Sequence, residues 1–190
     1  MPTTEERILD AAMRLFARDG LGATTREIAR AARVNEVTLF RHFHSKDELL
    51  REVVAGWSQR YEIDFEQLRL KTRADFRAGV QRFAETLGRK LTENEDMVRT
   101  FIGEVRRHLK LSRRLFMANP QGGRQKFIEY LRAAQKARLI RADIDPVTAA
   151  DAFSGMLLAG SLRGPLTEPD YDTEHYRETC LQIFLKGVER

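Results

Sequence analysis

Residues 23–50 read ATTREIARAARVNEVTLFRHFHSKDELL, and this stretch decides the fold. Thr24 with Glu27 three residues later is a capping box: hydroxyl and carboxylate each satisfy a free backbone donor at a helix start. The helix it opens carries Ile28, Ala29 and Ala32 on an apolar face. Asn35 is a second N-cap, and Val37, Leu39, Phe40 and Phe43 follow it. Ser45 with Glu48 is a further capping box, opening a helix at Lys46. About three residues separate the first two helices, the spacing of a helix-turn-helix whose second helix enters the DNA major groove.

Upstream, Thr3 and Glu6 predict a helix over about 4–18, with Ile8, Ala11, Ala12, Leu15 and Phe16 on one face and Gly20 as its left-handed stop. The ordered pieces LFARDGLGATT, TTREIARAARV, NEVTLFRHF and SKDELL resemble the DNA-binding segment of TetR-family transcriptional regulators. The resemblance is close over about the first fifty residues. It continues loosely to the C-terminus through chain length and helix pattern. It implies an all-α fold: a three-helix helix-turn-helix domain over residues 1–46, then a helical effector-binding and dimerisation domain over 47–190.

Composition bounds the reading. The 190 residues are 42% hydrophobic and 32% charged, a globular balance. The single Cys180 excludes an intrachain disulfide, and no secretory signal opens the chain. The longest uncharged run, Ala152 to Leu162, is too short to span a membrane, so a cytoplasmic location is the expectation. The net charge of +5 suggests a nucleic-acid partner, but it is misplaced. Residues 1–56 carry nine Lys/Arg and nine Asp/Glu, and the whole excess lies beyond them. Local placement must therefore decide, because exposed charges are screened over roughly 8 Å.

With Leu39 and Phe43 inward, Glu36, Val37, Thr38, Arg41 and His42 are left to face outward on the reading helix. Glu36, Val37, Arg41 and His42 are expected at base edges, and Thr25, Thr38 and Lys46 at phosphates. For Lys46 the resemblance implies a phosphate contact, and a cation beside a helix N-terminus agrees with it. Three residues depart from the family pattern. Arg33 stands where members usually have Gly, at a position that costs a side chain about 1 kcal/mol. Glu36 stands where Lys is common, and a carboxylate there accepts from a cytosine amino group or disfavours wrong sequences. Phe40 replaces a usual Tyr and packs on sugar or core.

The rest reads as helices. Leu49, Leu50, Val53, Trp57, Tyr61 and Phe65 predict a fourth helix reaching about Leu70, which links the reading head to the remainder. Further helices are predicted over about 74–91, from 94 or 95, over about 124–140, from Pro146 (with Asp145 as cap) to Gly164-Pro165, and over about 173–188. Trp57, Phe83, Leu87, Met97, Phe101, Val105, His108, Phe116 and Phe127 either make an ordinary helical core or line an effector cavity; the resemblance favours the cavity. The basic run Arg106–Arg114 is either a solvated helix end or a site for an acidic ligand or a DNA flank. Ala152, Gly155, Ala159, Tyr176, Cys180 and Phe184 lie on the last two helices, which the resemblance makes the homodimer interface.

Metal and enzyme readings find little support. His42 and His44 are two apart, and His175 and Cys180 five apart with no further Cys, so no metal site or cofactor is expected. No phosphate-binding glycine loop, nucleophile elbow or zinc-protease motif occurs. The expected function is a non-enzymatic, ligand-responsive regulator, more often a repressor, bound as a homodimer to a palindromic double-stranded DNA operator and released by a small, mainly apolar effector. A helix-turn-helix protein without an effector is the alternative, and a small-molecule enzyme the third choice.

Overall fold

The structure, a computed structural model, describes residues 1–59, 63–65, 68–105, 122–167 and 171–190. It is all-α, with no strand among the described residues. By their contacts the residues form two compact units: 1–60 with 94–120, and 61–93 with 121–190.

The first unit begins with α1 (Thr4–Asp19), a 3₁₀ turn (Gly20–Gly22), α2 (Thr25–Ala31), α3 (Glu36–His42) and α4 (Lys46–Gln59). Its caps follow the sequence. Thr3 with Glu6 and Thr24 with Glu27 form reciprocal boxes, and Asn35 accepts from the Thr38 amide at 2.6 Å. At Ser45 the box is split: the Ser45 hydroxyl takes the Glu48 amide, but Glu48 reaches back to the amide of His44. Ile8, Phe16, Ile28, Leu39, Leu49 and Leu50 are the largest of the fully buried members of one cluster. Helix α4, which the sequence reading puts in the second domain, groups with this unit because Leu49, Leu50 and Val53 lie in its core. Helix α6 (Glu95–Val105) packs on α1 in the same unit and buries Val98.

Arg33 has φ 56, so it adopts the left-handed conformation that glycine takes more cheaply. The Arg33 amide bonds the Arg30 carbonyl and the Val34 amide the Ala29 carbonyl, a Schellman closure of α2. Arg138 repeats it in the second unit, with φ 58 and bonds to Gln135 and, from Leu139, to Ala134.

The second unit contains α5 (Arg73–Glu93), α7 (Gly123–Lys136), α8 (Pro146–Thr167) and α9 (Thr173–Val188). Three element boundaries differ from expectation. The fourth helix is described as far as Gln59, and Ile63 to Phe65 is not helical. Phe65 is drawn to Tyr130, Phe127 and Phe83, at ring distances of 4.8, 6.0 and 6.4 Å, contacts a continued helix face would forgo. Helix α7 ends at Lys136, not near Ile140, because Arg138 closes it. Helix α8 passes through Gly164-Pro165 to Thr167, although Pro165 has no N–H to give the helical ladder. Asp145 and Asp172 cap α8 and α9 through Thr148 and His175.

Rings fill this core. Phe83 and Phe127 stack at 3.8 Å, Phe153 and Phe184 at 4.3 Å, and Phe76 lies parallel to Tyr130 at 6.0 Å. Glycine makes room for one of them: a Cβ at Gly79 would stand 2.1 Å from the Tyr130 hydroxyl oxygen. That hydroxyl is 3.2 Å from the Asp75 and Phe76 carbonyls, and burial pushes its pKa up to about 12. The tail is held by a backbone bridge between Ile140 and Glu189, and Arg77 clasps the Glu189 carboxylate with two bonds of 2.7 Å.

Candidate nucleic-acid interface

Helix α3 turns Leu39 fully inward and leaves Val37 77% exposed. Arg41 is exposed, while Glu36, Thr38 and His42 are half-buried. Phe40 is 41% exposed, so it lies on the surface of α3 and outside the core. The face thus mixes an apolar side chain, a guanidinium, a carboxylate and an imidazole, the groups that discriminate base edges.

The polar groups are positioned by neighbours. The Thr25 hydroxyl at the start of α2 donates to Glu36 at 2.5 Å, which fixes the carboxylate at the first turn of α3. Thr25, expected at a phosphate, therefore spends its proton on Glu36 in the unbound protein. Lys46 donates to the Leu21 carbonyl, tying α4 to the turn after α1, and two of its three N–H groups remain for other acceptors. The imidazole of His42 lies 3.8 Å from the Glu5 carboxylate.

The balanced charge of this part hides an asymmetry. Asp10 and Asp19 are paired with Arg14 and Arg18. Glu6 and Glu27 are used as caps, and Thr24 holds Glu27 below the usual carboxylate range. By contrast, Arg26 and Arg30 on α2, Arg33 in the turn and Arg41 on α3 are exposed and form no ion pair among the described residues. Arg26, Arg30 and Arg33 escaped the sequence reading, which counted charge without pairing it. The i,i+4 spacing of Asp10 and Arg14 was the available signal.

The other candidate residues fall on other elements or outside the described residues. Phe83 and Phe127 are buried in the ring stack, and Leu87 is half-buried on α5. Trp57, Met97, Phe101 and Val105 fall on α4 and α6, with their side chains outside the described residues. His108, Phe116 and the basic run 106–114 lie outside the described residues. On α8, Ala152, Gly155 and Ala159 are exposed. Tyr176 is half-buried, and a Cβ at Gly160 would stand 2.4 Å from its ring. Cys180 and Phe184, also expected at the dimer face, are buried within the protomer, Phe184 where it stacks on Phe153. Ile183, 57% exposed, occupies the outer face of α9 instead.

Two short capped helices with a polar face on the second define a helix-turn-helix DNA-binding domain. Residues 8–53 match the family described as bacterial regulatory proteins of the tetR family. Residues 77–180 match the C-terminal domain of AefR-like transcriptional repressors. The chain belongs to the tetR family and is a transcriptional regulator. It is 28% identical over 158 residues to the HTH-type transcriptional regulator YvkB of Bacillus subtilis strain 168, covering 83% of this chain and 80% of that one. It is 29% identical over 141 residues to the HTH-type transcriptional repressor KstR2 of Rhodococcus jostii RHA1, covering 73% and 68%. The fold is similar to that of the fatty acid degradation regulator FadR from Bacillus halodurans, with TM-score 0.77 at 18% identity over 100% of this chain and 99% of that chain. No helix among the described residues is long and apolar enough to cross a membrane.

Proposed function

We propose that this regulator is a repressor that binds a two-fold-related DNA site as a homodimer and releases it when a small, mainly apolar molecule binds the helical part. The observation that carries the DNA reading is the outward face of α3, with exposed Val37 and Arg41 beside the fixed carboxylate of Glu36. The four guanidiniums of α2, the turn and α3 supply the field that draws the duplex. In this reading Glu36, Val37, Arg41 and His42 meet bases, whereas Thr38 and Lys46 meet phosphates. Thr25 acts through Glu36 and reaches a phosphate only after releasing it. Repression follows the name of the relative KstR2. The homodimer uses the exposed Ala152, Gly155, Ala159 and Ile183, and its two reading helices lie about 34–36 Å apart, one turn of DNA.

Binding of the two substitutions to DNA tests the assignment. Lys46→Ala weakens all sequences alike and lowers the salt slope by about 0.9, whereas Arg41→Ala loses about 1–3 kcal/mol on the preferred site. The reverse pattern discards it. Sedimentation at micromolar concentration gives a dimer for the wild type and a monomer for Gly155→Glu; a wild-type monomer ends the dimer model. The Phe83–Phe127 stack favours a second reading, a regulator without an effector, since those rings already fill each other's space. That reading wins if no apolar acid or apolar neutral compound releases the protein from DNA.

A further inference from the structure

Within the second unit, the last turns of α5, the middle of α8 and the first turns of α9 enclose a cleft of about 290 Å³. Its size is near the lower end of small-ligand pockets, roughly 300–1,000 Å³. Leu157 and Tyr176 give it an apolar wall, and Arg89, Arg177, Thr92 and Glu93 give it polar ones. Glycines allow this shape. A Cβ at Gly160 would stand 2.4 Å from the Tyr176 ring, and one at Gly88 would stand 3.3 Å from Cδ of Arg177. Ring and guanidinium stem therefore lie flat against α8 and α5. Arg177 spends one N–H on Glu174 at 3.1 Å, leaving four of its five donors. Arg89 is exposed and forms no ion pair among the described residues.

We propose that this cleft binds a small molecule carrying one carboxylate on an aromatic or compact apolar body. Two guanidiniums beside an aromatic face fit that class, since the arginine fork matches a carboxylate with two parallel bonds. A monoanion suits the cleft better than a dianion, because Glu93 lines it as well and Arg177 already pairs with Glu174. As a binding site the cleft stands independently of the effector reading above; as the effector's site it rests on that reading.

The test uses the whole chain without DNA and three probes: 2-naphthoate, its neutral isostere 2-naphthamide, and inorganic phosphate. By calorimetry, 2-naphthoate binds at least tenfold more tightly than the amide or phosphate, and it shifts the backbone amide resonances of Gly88 and Gly160. Arg89→Met and Arg177→Met each weaken it by about tenfold to a hundredfold, the worth of a charged hydrogen bond. Arg89 is exposed, so its variant keeps the test valid if Arg177→Met unfolds the packing on Gly88. Equal affinity for acid and amide, tighter phosphate binding, acid binding untouched by Arg89→Met, or no binding at millimolar 2-naphthoate overturns the proposal. Release from DNA is measured separately: binding here without release keeps the cleft and removes it from the effector reading.

Discussion

The first unit is cored by aliphatic side chains and alanines, Ile8, Ala11, Ala12, Ile28, Ala29 and Leu39 among them, while rings pack against rings in the second. The difference follows from what each must do. Short helices that present a surface to DNA need close, rigid approach, which alanine permits and hydrogen-bonded caps reinforce. Longer helices brought together from residues 65 to 184 are held by large non-local contacts. Glycines differ from site to site as well. Gly79 and Gly160 each face a tyrosine ring at a distance no Cβ tolerates, but Gly56 in α4 faces open space.

The largest expected effect tests the ring core. Phe127 is fully buried among Phe65, Phe83, Phe153 and Phe184, so Phe127→Ala costs about 3–5 kcal/mol. Hydrogen exchange reads where the loss falls: protection drops at Leu131 and holds at Leu39. Equal loss at both would mean that the two cores open as one, and the contrast drawn above would fail. Next come the glycines. Gly79→Ala pushes Tyr130 off the Asp75 and Phe76 carbonyls and costs about 1–3 kcal/mol in a denaturant melt. Gly56→Ala raises stability by about 0.5–1 kcal/mol, because it only removes helix-opposing freedom. The opposite signs are the point, and a loss at both positions would refute it.

Smaller effects should be shared by the two units. Arg33→Gly and Arg138→Gly each relieve a left-handed side chain but loosen the unfolded chain, for a net gain of about 0.5 kcal/mol by thermal unfolding. A loss at Arg33 would show that its side chain is held by something the Schellman bonds do not explain. The caps respond to acid. Glu27 is held below its ordinary value first by the Thr24 backbone amide, and Asp75 and Asp145 by the hydroxyls of Thr72 and Thr148. A lowered folded pKa stabilises the protein above the unfolded value of about 4, and the gain is lost as pH falls through the folded value. Asn substitutions at Asp75 and Asp145 flatten the stability profile below pH 4; an unchanged slope would remove the caps from the account.

Local chemistry made the first unit legible. Thr24 with Glu27, Asn35 before Glu36, and Gly20 after α1 each act within a few residues, so the chain announces them. The same held for Asp145, whereas the cap at Asp172 went unread. What escaped depends on partners far along the chain. Phe65 continues a helical period from Leu50, but Tyr130 draws it out of any helix. Phe184 has the spacing of an outward residue on a helix apolar on more than one side, and only Phe153 shows which way it turns. The cleft at Arg89 and Arg177 joins positions 88 residues apart, which no local pattern relates.

The clasp between Arg77 and Glu189 sets an order of events during synthesis. A domain reaches its native contacts only when both partners have left the ribosome, and chains emerge N-terminus first at about 5–20 residues per second. The buried cluster from Ile8 to Val53 has all its members early. The ring core and the tail bridge need Phe184 and Glu189, so α5 must wait with its apolar face uncovered for some hundred residues of further translation. A stop codon just before Glu189 would leave Arg77 and the Ile140 edge without the residue that closes the second unit.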